Sequence, residues 1–207
     1  MKKIVYIIGL LVVVACSSTK FIDSWKNKEV TSFKPQKLLV VGITDNLTAR
    51  KIFEEELKKA FISRNIYAQE SVIIFDDTFT KSKKSEGEID EMIKKISNDG
   101  FDAVIITAVK GVDEKRSYNT NYYSDNRRWS HFGYYYFRFQ DVYFTPEYYK
   151  TYKIYNVETS IYNINEKDNK SLIWVGSFNL INPQTISPTI KDYVVKIIKQ
   201  LEYEKLI

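Results

Sequence analysis

Apolar positions change their period along the chain, and the changes mark its elements. Lys37–Ile43 (KLLVVGI) is a continuous apolar run between polar flanks, the pattern of a strand buried on both faces. Over Ala49–Arg64, Ala49, Ile52, Phe53, Leu57, Ala60 and Phe61 recur at helical spacing, with Thr48 placed to cap the helix. Ile66–Phe75 predicts a second strand. Ser85-Glu86-Gly87-Glu88 has the capping-box form, in which a hydroxyl and a carboxylate three residues apart satisfy backbone N–H groups reciprocally. Ile89, Met92, Ile93 and Ile96 follow on one helical face, and Gly100 supplies a left-handed stop.

Phe101–Val112 (FDAVIITAVKGV) predicts a third, mostly apolar strand. Strand, helix, strand, helix, strand argues for a layered sheet with right-handed crossovers. Tyr152–Ile164 and Lys170–Ile181 then read as a hairpin closed by Glu166-Lys167-Asp168-Asn169. In its second arm Leu172, Trp174, Phe178 and Leu180 share one face at period two. Ser187-Pro188 predicts a cap with proline at the first helical position, followed by the stripe Ile190, Val194, Ile197, Ile198 and Leu201. The fold class is therefore α/β: a mixed sheet with helices packed on its faces, in a single domain.

The first residues follow a different logic. Lys2 and Lys3 precede an uncharged, mostly apolar run, Ile4–Ala15. A spanning helix needs roughly 20 apolar residues, so this run is too short and matches a secretory signal peptide. It ends in Val13-Val14-Ala15-Cys16, which resembles the lipobox of bacterial lipoproteins. The resemblance implies cleavage before Cys16, a thioether-linked diacylglyceryl group on its sulfur, and acylation (palmitate-type) of its amine. Two or more acyl chains hold a protein stably on a bilayer, where one holds it only marginally. Cleavage also removes two lysines, so the net charge falls from +5 to +3. Ser17 after the cysteine favours, by analogy with the common sorting rule, an outer-membrane location facing the periplasm. The expected layout is a signal peptide over 1–15, a lipidated tether over 16–36 with room for a short strand at Phe21–Trp25, and one domain over 37–207.

Composition adds one feature. Residues 118–155 hold eleven of the sixteen tyrosines together with Trp129, Phe132, Phe137, Phe139, Phe144 and the single His131. Arg116, Arg127, Arg128 and Arg138 are interleaved with them. Ser117–Ser130 is polar and reads as a loop, while Tyr134–Phe144 (YYYFRFQDVYF) has strong β-propensity. Two readings stand beside each other. Tyrosine can cover an apolar face while its hydroxyl stays wet. Tyr, Trp and Arg are also the residues enriched at binding hot spots, which makes Trp129, Tyr134, Tyr135, Tyr136, Arg138 and Tyr143 candidates for partner contact. The segment 113–151 is treated as an aromatic insertion into the domain.

Chemistry is sparse. His131 is the sole histidine and no Gly-x-Ser-x-Gly elbow accompanies it, so a Ser-His-Asp site lacks its parts. One histidine and an acylated cysteine cannot make a tight zinc site, and no metal or other cofactor is expected. No phosphate-binding glycine motif is present. Mixed charge and export argue against nucleic acid. Asp76, Asp77 and Glu158 could in principle supply a carboxylate pair for glycoside hydrolysis.

Taken together, the lipidated cysteine, the strands KLLVVGI and FDAVIITAVKGV, the helix ending in glycine, the hairpin and the closing helix resemble a group of small bacterial lipoproteins. Their order also resembles the fold shared by lipoprotein activators of penicillin-binding proteins, the curli-secretion lipoprotein and the amino-terminal domain of TolB. The resemblance covers roughly 37–112 and 152–206. It implies a non-enzymatic protein held to a lipid bilayer through acylated Cys16 and docking onto an envelope protein partner. The alternative is a glycan- or peptidoglycan-binding module or a weak glycoside hydrolase; a third is a purely structural envelope component.

Overall fold

The computed structural model describes residues 18–30, 33–44, 46–75, 85–118, 149–165, 172–181, 183 and 185–207. The elements in chain order are β1 (Thr19–Lys26), β2 (Leu38–Ile43), α1 (Leu47–Ile62), β3 (Ala68–Glu70), α2 (Ser71–Ile74), α3 (Glu86–Asn98), β4 (Ala103–Tyr118), β5 (Tyr149–Asn163), β6 (Leu172–Ile181) and α4 (Ile186–Tyr203). The strands form one six-stranded sheet in the order β1-β6-β5-β4-β2-β3. β2 runs parallel to β3 and β4, and the remaining pairs are antiparallel.

The chain leaves β2 for β3 on one side and then returns across β2 to β4. Crossovers of one hand that travel in opposite directions put their connections on opposite faces of the sheet. Helix α1 accordingly packs with α4 on one face, where Phe53, Leu57, Ile197 and Leu201 meet Leu38, Val40, Ile105, Ile161, Trp174 and Phe178. On the other face Ile96 of α3 shares a smaller buried cluster with Leu39, Val41 and Phe101. β2 thus alternates between two cores, which is why its sequence shows no polar position.

Several sequence expectations need correction. The short strand allowed at Phe21–Trp25 within the expected tether is present and longer, Thr19–Lys26: β1 pairs with β6 from Thr19↔Leu180 to Lys26↔Trp174, with a bulge between Phe21 and Asp23. Asn46, not Thr48, caps α1; its Oδ1 accepts from the Ala49 amide at 3.0 Å. The strand expected over Ile66–Phe75 lasts only three residues, because the Ser71 hydroxyl and the Val72 amide turn inward to the Glu54 carboxylate and wind the chain into α2. Helix α4 begins at Ile186, so Pro188 is its third residue; its missing N–H is still one that no helical carbonyl could have used. β4 runs on past Val112 to Tyr118, and β5 starts at Tyr149, so both flanks of the aromatic insertion are strand. The residues expected to close the β5–β6 hairpin, 166–169, lie outside the described residues.

Other expectations hold to the atom. Ser85 Oγ accepts from the Glu88 amide at 3.4 Å while Glu88 Oε2 accepts from the Ser85 amide at 2.8 Å. Gly100 takes φ +84° after α3. In β6 the period-two face is filled by Trp174 and Phe178, both buried. Between them Gly176 leaves room for the indole, since a Cβ there would lie 2.2 Å from Trp174 Cη2.

Candidate functional site

Most residues singled out from sequence, namely Cys16, Asp76, Asp77, Trp129, His131, Tyr134, Tyr135, Tyr136, Arg138 and Tyr143, lie outside the described residues. Glu158 is described. It sits on β5 facing Lys110 across the β4–β5 ladder, with Nζ–Oε1 at 3.6 Å; Lys110 is exposed and Glu158 partly so. That is a cross-strand ion pair open to solvent, and among the described residues no second carboxylate is paired with Lys110. Among the described residues no group of three or more His, Cys, Asp or Glu side chains comes together.

Buried polar groups form two networks inside the larger core. Glu54 Oε1 accepts from the Gly42 amide (2.9 Å), Arg50 Nε (3.0 Å) and Ser71 Oγ (2.7 Å), and Oε2 accepts from the Val72 amide (2.8 Å). Arg50 Nη2 donates to Ser71 Oγ at 2.9 Å. Apart from the Arg50–Glu54 contact within α1, these bonds tie α1 to β2 or α2, and the side chains of Arg50, Glu54 and Ser71 are fully buried. Elsewhere Thr107 Oγ1, Thr159 Oγ1 and Tyr193 Oη form a hydroxyl chain with steps of 2.6 and 2.5 Å. Burial pushes the Tyr193 hydroxyl far above the usual phenol pKa. The chain links α4 to the sheet through side chains buried from solvent. Sequence reasoning passed over Arg50 and Glu54, although both fall on the apolar side of α1 beside Phe53 and Leu57.

Among the described residues, an apolar groove of about 490 Å³ between α3 and the sheet has space for another molecule. Leu39, Val41, Val104 and Ile106 form its floor, and Ile89, Met92 and Ile93 line its α3 wall. The volume lies within the range of ligand and side-chain pockets. Among its described lining residues only Tyr162 carries a hydroxyl, so the lining is suited to an apolar group. The stripe read as the core face of α3 is only part core: Ile96 is 5% exposed, but Ile89 and Ile93 remain 43% and 42% exposed.

The groove lies toward the end of the sheet opposite the chain entry. Its Tyr162–Val104–Leu39 row is eight residues along β5 from Ile154, which stands level with the start of β1. Eight strand residues span about 26 Å.

These elements define a single α/β domain with a mixed sheet, helices on both faces and an apolar groove under one of them. No protein-family model matches the chain, and no curated protein matches it. Among solved structures it is similar to a PelC dodecamer subunit from Paraburkholderia phytofirmans, at 9% identity and TM-score 0.42 over 87% of this chain and 94% of that one. It is also similar to the lipoprotein GNA1162 from Neisseria meningitidis, at 12% identity and TM-score 0.42 over 82% of this chain and 99% of that one.

Proposed function

We propose that the protein is a non-enzymatic envelope lipoprotein, anchored through acylated Cys16, that docks a protein partner. The observation that carries this reading is the groove: an open apolar slot whose α3 wall keeps two isoleucines half exposed. Contiguous exposed apolar surface marks interaction sites. Its lining lacks the convergent donors and acceptors that a glycan needs, which favours a partner presenting apolar side chains over the polysaccharide alternative. Anchoring is supported by the basic–apolar–Val-Val-Ala-Cys sequence, with the first described strand beginning at Thr19, three residues after Cys16. The Tyr/Trp/Arg segment, with Trp129, Tyr134, Tyr135, Tyr136, Arg138 and Tyr143, provides a second contact surface. An outer-membrane site facing the periplasm fits Ser17.

In-cell photocrosslinking tests the docking role. A photoreactive residue at Ile93 is expected to give a discrete protein adduct that disappears with Met92→Asp, and one at Tyr135 an adduct with the same partner. Purified protein that instead co-sediments with cell-wall polymer, with no protein adduct from either position, would replace this reading with the glycan-binding one. Mass spectrometry of the membrane-derived protein is expected to find Cys16 amino-terminal and acylated.

A further inference from the structure

The two strands of the β4–β5 hairpin outrun the rest of the sheet. β5 pairs with β6 as far as Ile154↔Ile181, and Ile154 pairs in turn with Asp113. Beyond that row, among the described residues, β4 and β5 pair only with each other, through Glu114–Tyr118 and Tyr149–Lys153. The chain enters the sheet at the same row, where the Ile181 amide donates to the Ser18 carbonyl at 2.7 Å. The two-stranded ribbon and the N-terminus therefore leave the fold from one end.

Lengths decide what the ribbon can reach. Five strand residues beyond Asp113 project about 17 Å. Cys16 stands two peptide links before Ser18, which limits the separation of their Cα atoms to about 7 Å. The ribbon strands lie two and three places from β1 in the sheet, about 10–14 Å to the side. A lipid on Cys16 thus holds this end of the sheet against the headgroups on a tether shorter than the ribbon. The ribbon's sequence suits that layer. It carries Lys115, Arg116, Lys150 and Lys153 against the single acid Glu114, together with Tyr118, Tyr149 and Tyr152. Register places Arg116 opposite Thr151 and Ser117 opposite Lys150, so the basic positions occupy both faces. Tyrosine is enriched at membrane–water interfaces, and lysine and arginine are drawn to anionic lipid.

We propose that this ribbon is a second membrane contact, lying in the headgroup layer of the bilayer that holds Cys16 and recognising anionic phospholipid. The inference rests on the acylation of Cys16. It also deepens the docking role, because it orients the groove end of the sheet away from the bilayer.

The full chain, recovered with its lipid from bacterial membranes and placed in phosphatidylethanolamine–phosphatidylglycerol vesicles, tests it. Nitroxide labels at Ser117→Cys and Thr151→Cys, on opposite ribbon faces, are compared with one at Lys94→Cys on α3. Only variants with the parent thermal transition are used. Collision with lipid-soluble oxygen relative to a water-soluble nickel chelate is expected to be several-fold higher for at least one ribbon label than at Lys94. Replacing phosphatidylglycerol by phosphatidylcholine is expected to reduce the difference. Water-like collision at all three sites, with the protein still floating with the vesicles, overturns the ribbon contact and leaves the anchor standing. Shielding of both ribbon labels from both reagents, as by a covering protein, also overturns it. A protein that stays in the aqueous phase with Cys16 bare by mass spectrometry overturns the anchor, and the ribbon contact falls with it.

Discussion

Arg50 Nε lies 3.0 Å from Glu54 Oε1, one turn along α1, and both side chains are fully buried. Two charges removed from water are tolerated only when each is paired and its remaining hydrogen-bonding positions are filled. Glu54 meets that demand with four donors drawn from β2, α1 and α2. Glu54→Ala leaves the Arg50 charge in the core without its carboxylate. The expected loss of unfolding free energy is about 3–5 kcal/mol, read from urea denaturation. Arg50→Met combined with Glu54→Gln leaves no lone charge and is expected to recover part of that loss. A double variant no more stable than Glu54→Ala would show that the network matters for its backbone bonds and not for its charges.

Helix α3 is the outer wall of the groove, and its start is fixed by the reciprocal bonds of Ser85 and Glu88. Ser85→Ala removes the cap acceptor and is expected to cost about 1 kcal/mol. The loss should fall locally, since Ile96 is the buried anchor of this helix in its small cluster. Amide hydrogen exchange is the measurement: faster exchange across Ile89–Ile96, with α1 and α4 unchanged. Equal acceleration in all three helices would mean that α3 unfolds only with the whole domain.

The alkaline limb of stability depends on Tyr193. Burial raises its pKa above the ordinary value of 10.0, outweighing the hydrogen bonds with Thr159 and Thr107 that favour ionisation. A raised pKa in the fold means that the protonated form is the one stabilised. That contribution is complete below pH 10.0 and is lost as the pH climbs above it, because the unfolded chain then gives up its phenol proton first. Tyr193 is therefore expected to ionise only together with unfolding, seen as one coincident step in tyrosinate absorbance and far-ultraviolet circular dichroism. Tyr193→Phe should move that step to higher pH while costing about 1 kcal/mol at neutral pH for the lost bond to Thr159.

The parts of this fold that were legible in the sequence are those where one physical demand sets the residue. β2 lies between two cores, and its residues LLVVGI carry no polar side chain; α4 packs through one stripe, and Ile190, Val194, Ile197, Ile198 and Leu201 are all buried. The misread parts are those where a distant partner outranks the local pattern. The polar stretch TKFIDSWK reads as tether with room for a strand only at Phe21–Trp25, yet the edge of β6 offers it backbone partners all the way from Thr19 to Lys26. The apolar stretch Ile66–Phe75 reads as strand, yet it turns helical because Glu54 captures Ser71 and Val72. The third strand reads as stopping at Val112, yet β4 runs on to Tyr118 because β5 supplies backbone partners as far as Tyr149. The groove was visible only as a stripe on α3; period alone does not say how much of a stripe the sheet will cover.

Glu204, at the end of α4, gathers bonds from two other parts of the fold. Its Oε1 accepts from Ser24 Oγ on β1 (2.6 Å), Trp174 Nε1 on β6 (3.1 Å) and Gln200 Nε2 (2.7 Å), while Lys26 Nζ donates to its backbone carbonyl at 2.9 Å. Partial burial opposes ionisation, but the bonds from Ser24, Gln200 and Trp174, with the nearby Lys26 charge, outweigh it and hold the carboxyl below its ordinary pKa of 4.5. A lowered pKa means that the ionised form is the one stabilised. The contribution is present above pH 4.5 and is lost as the pH falls through the lower folded value. Glu204→Gln is expected to reduce stability at neutral pH by about 1–2 kcal/mol, the scale of hydrogen bonds to a charged acceptor reduced for partial solvent contact. The difference from wild type should close as the pH drops below 4.5, because protonation brings the native carboxyl to the same neutral state. Thermal melts across that range measure it, with the Trp174 indole as a local fluorescent probe of the junction. A difference that stays constant down to the acid limit would mean that the site holds β1, β6 and α4 together by shape and neutral hydrogen bonding, with the charge contributing nothing.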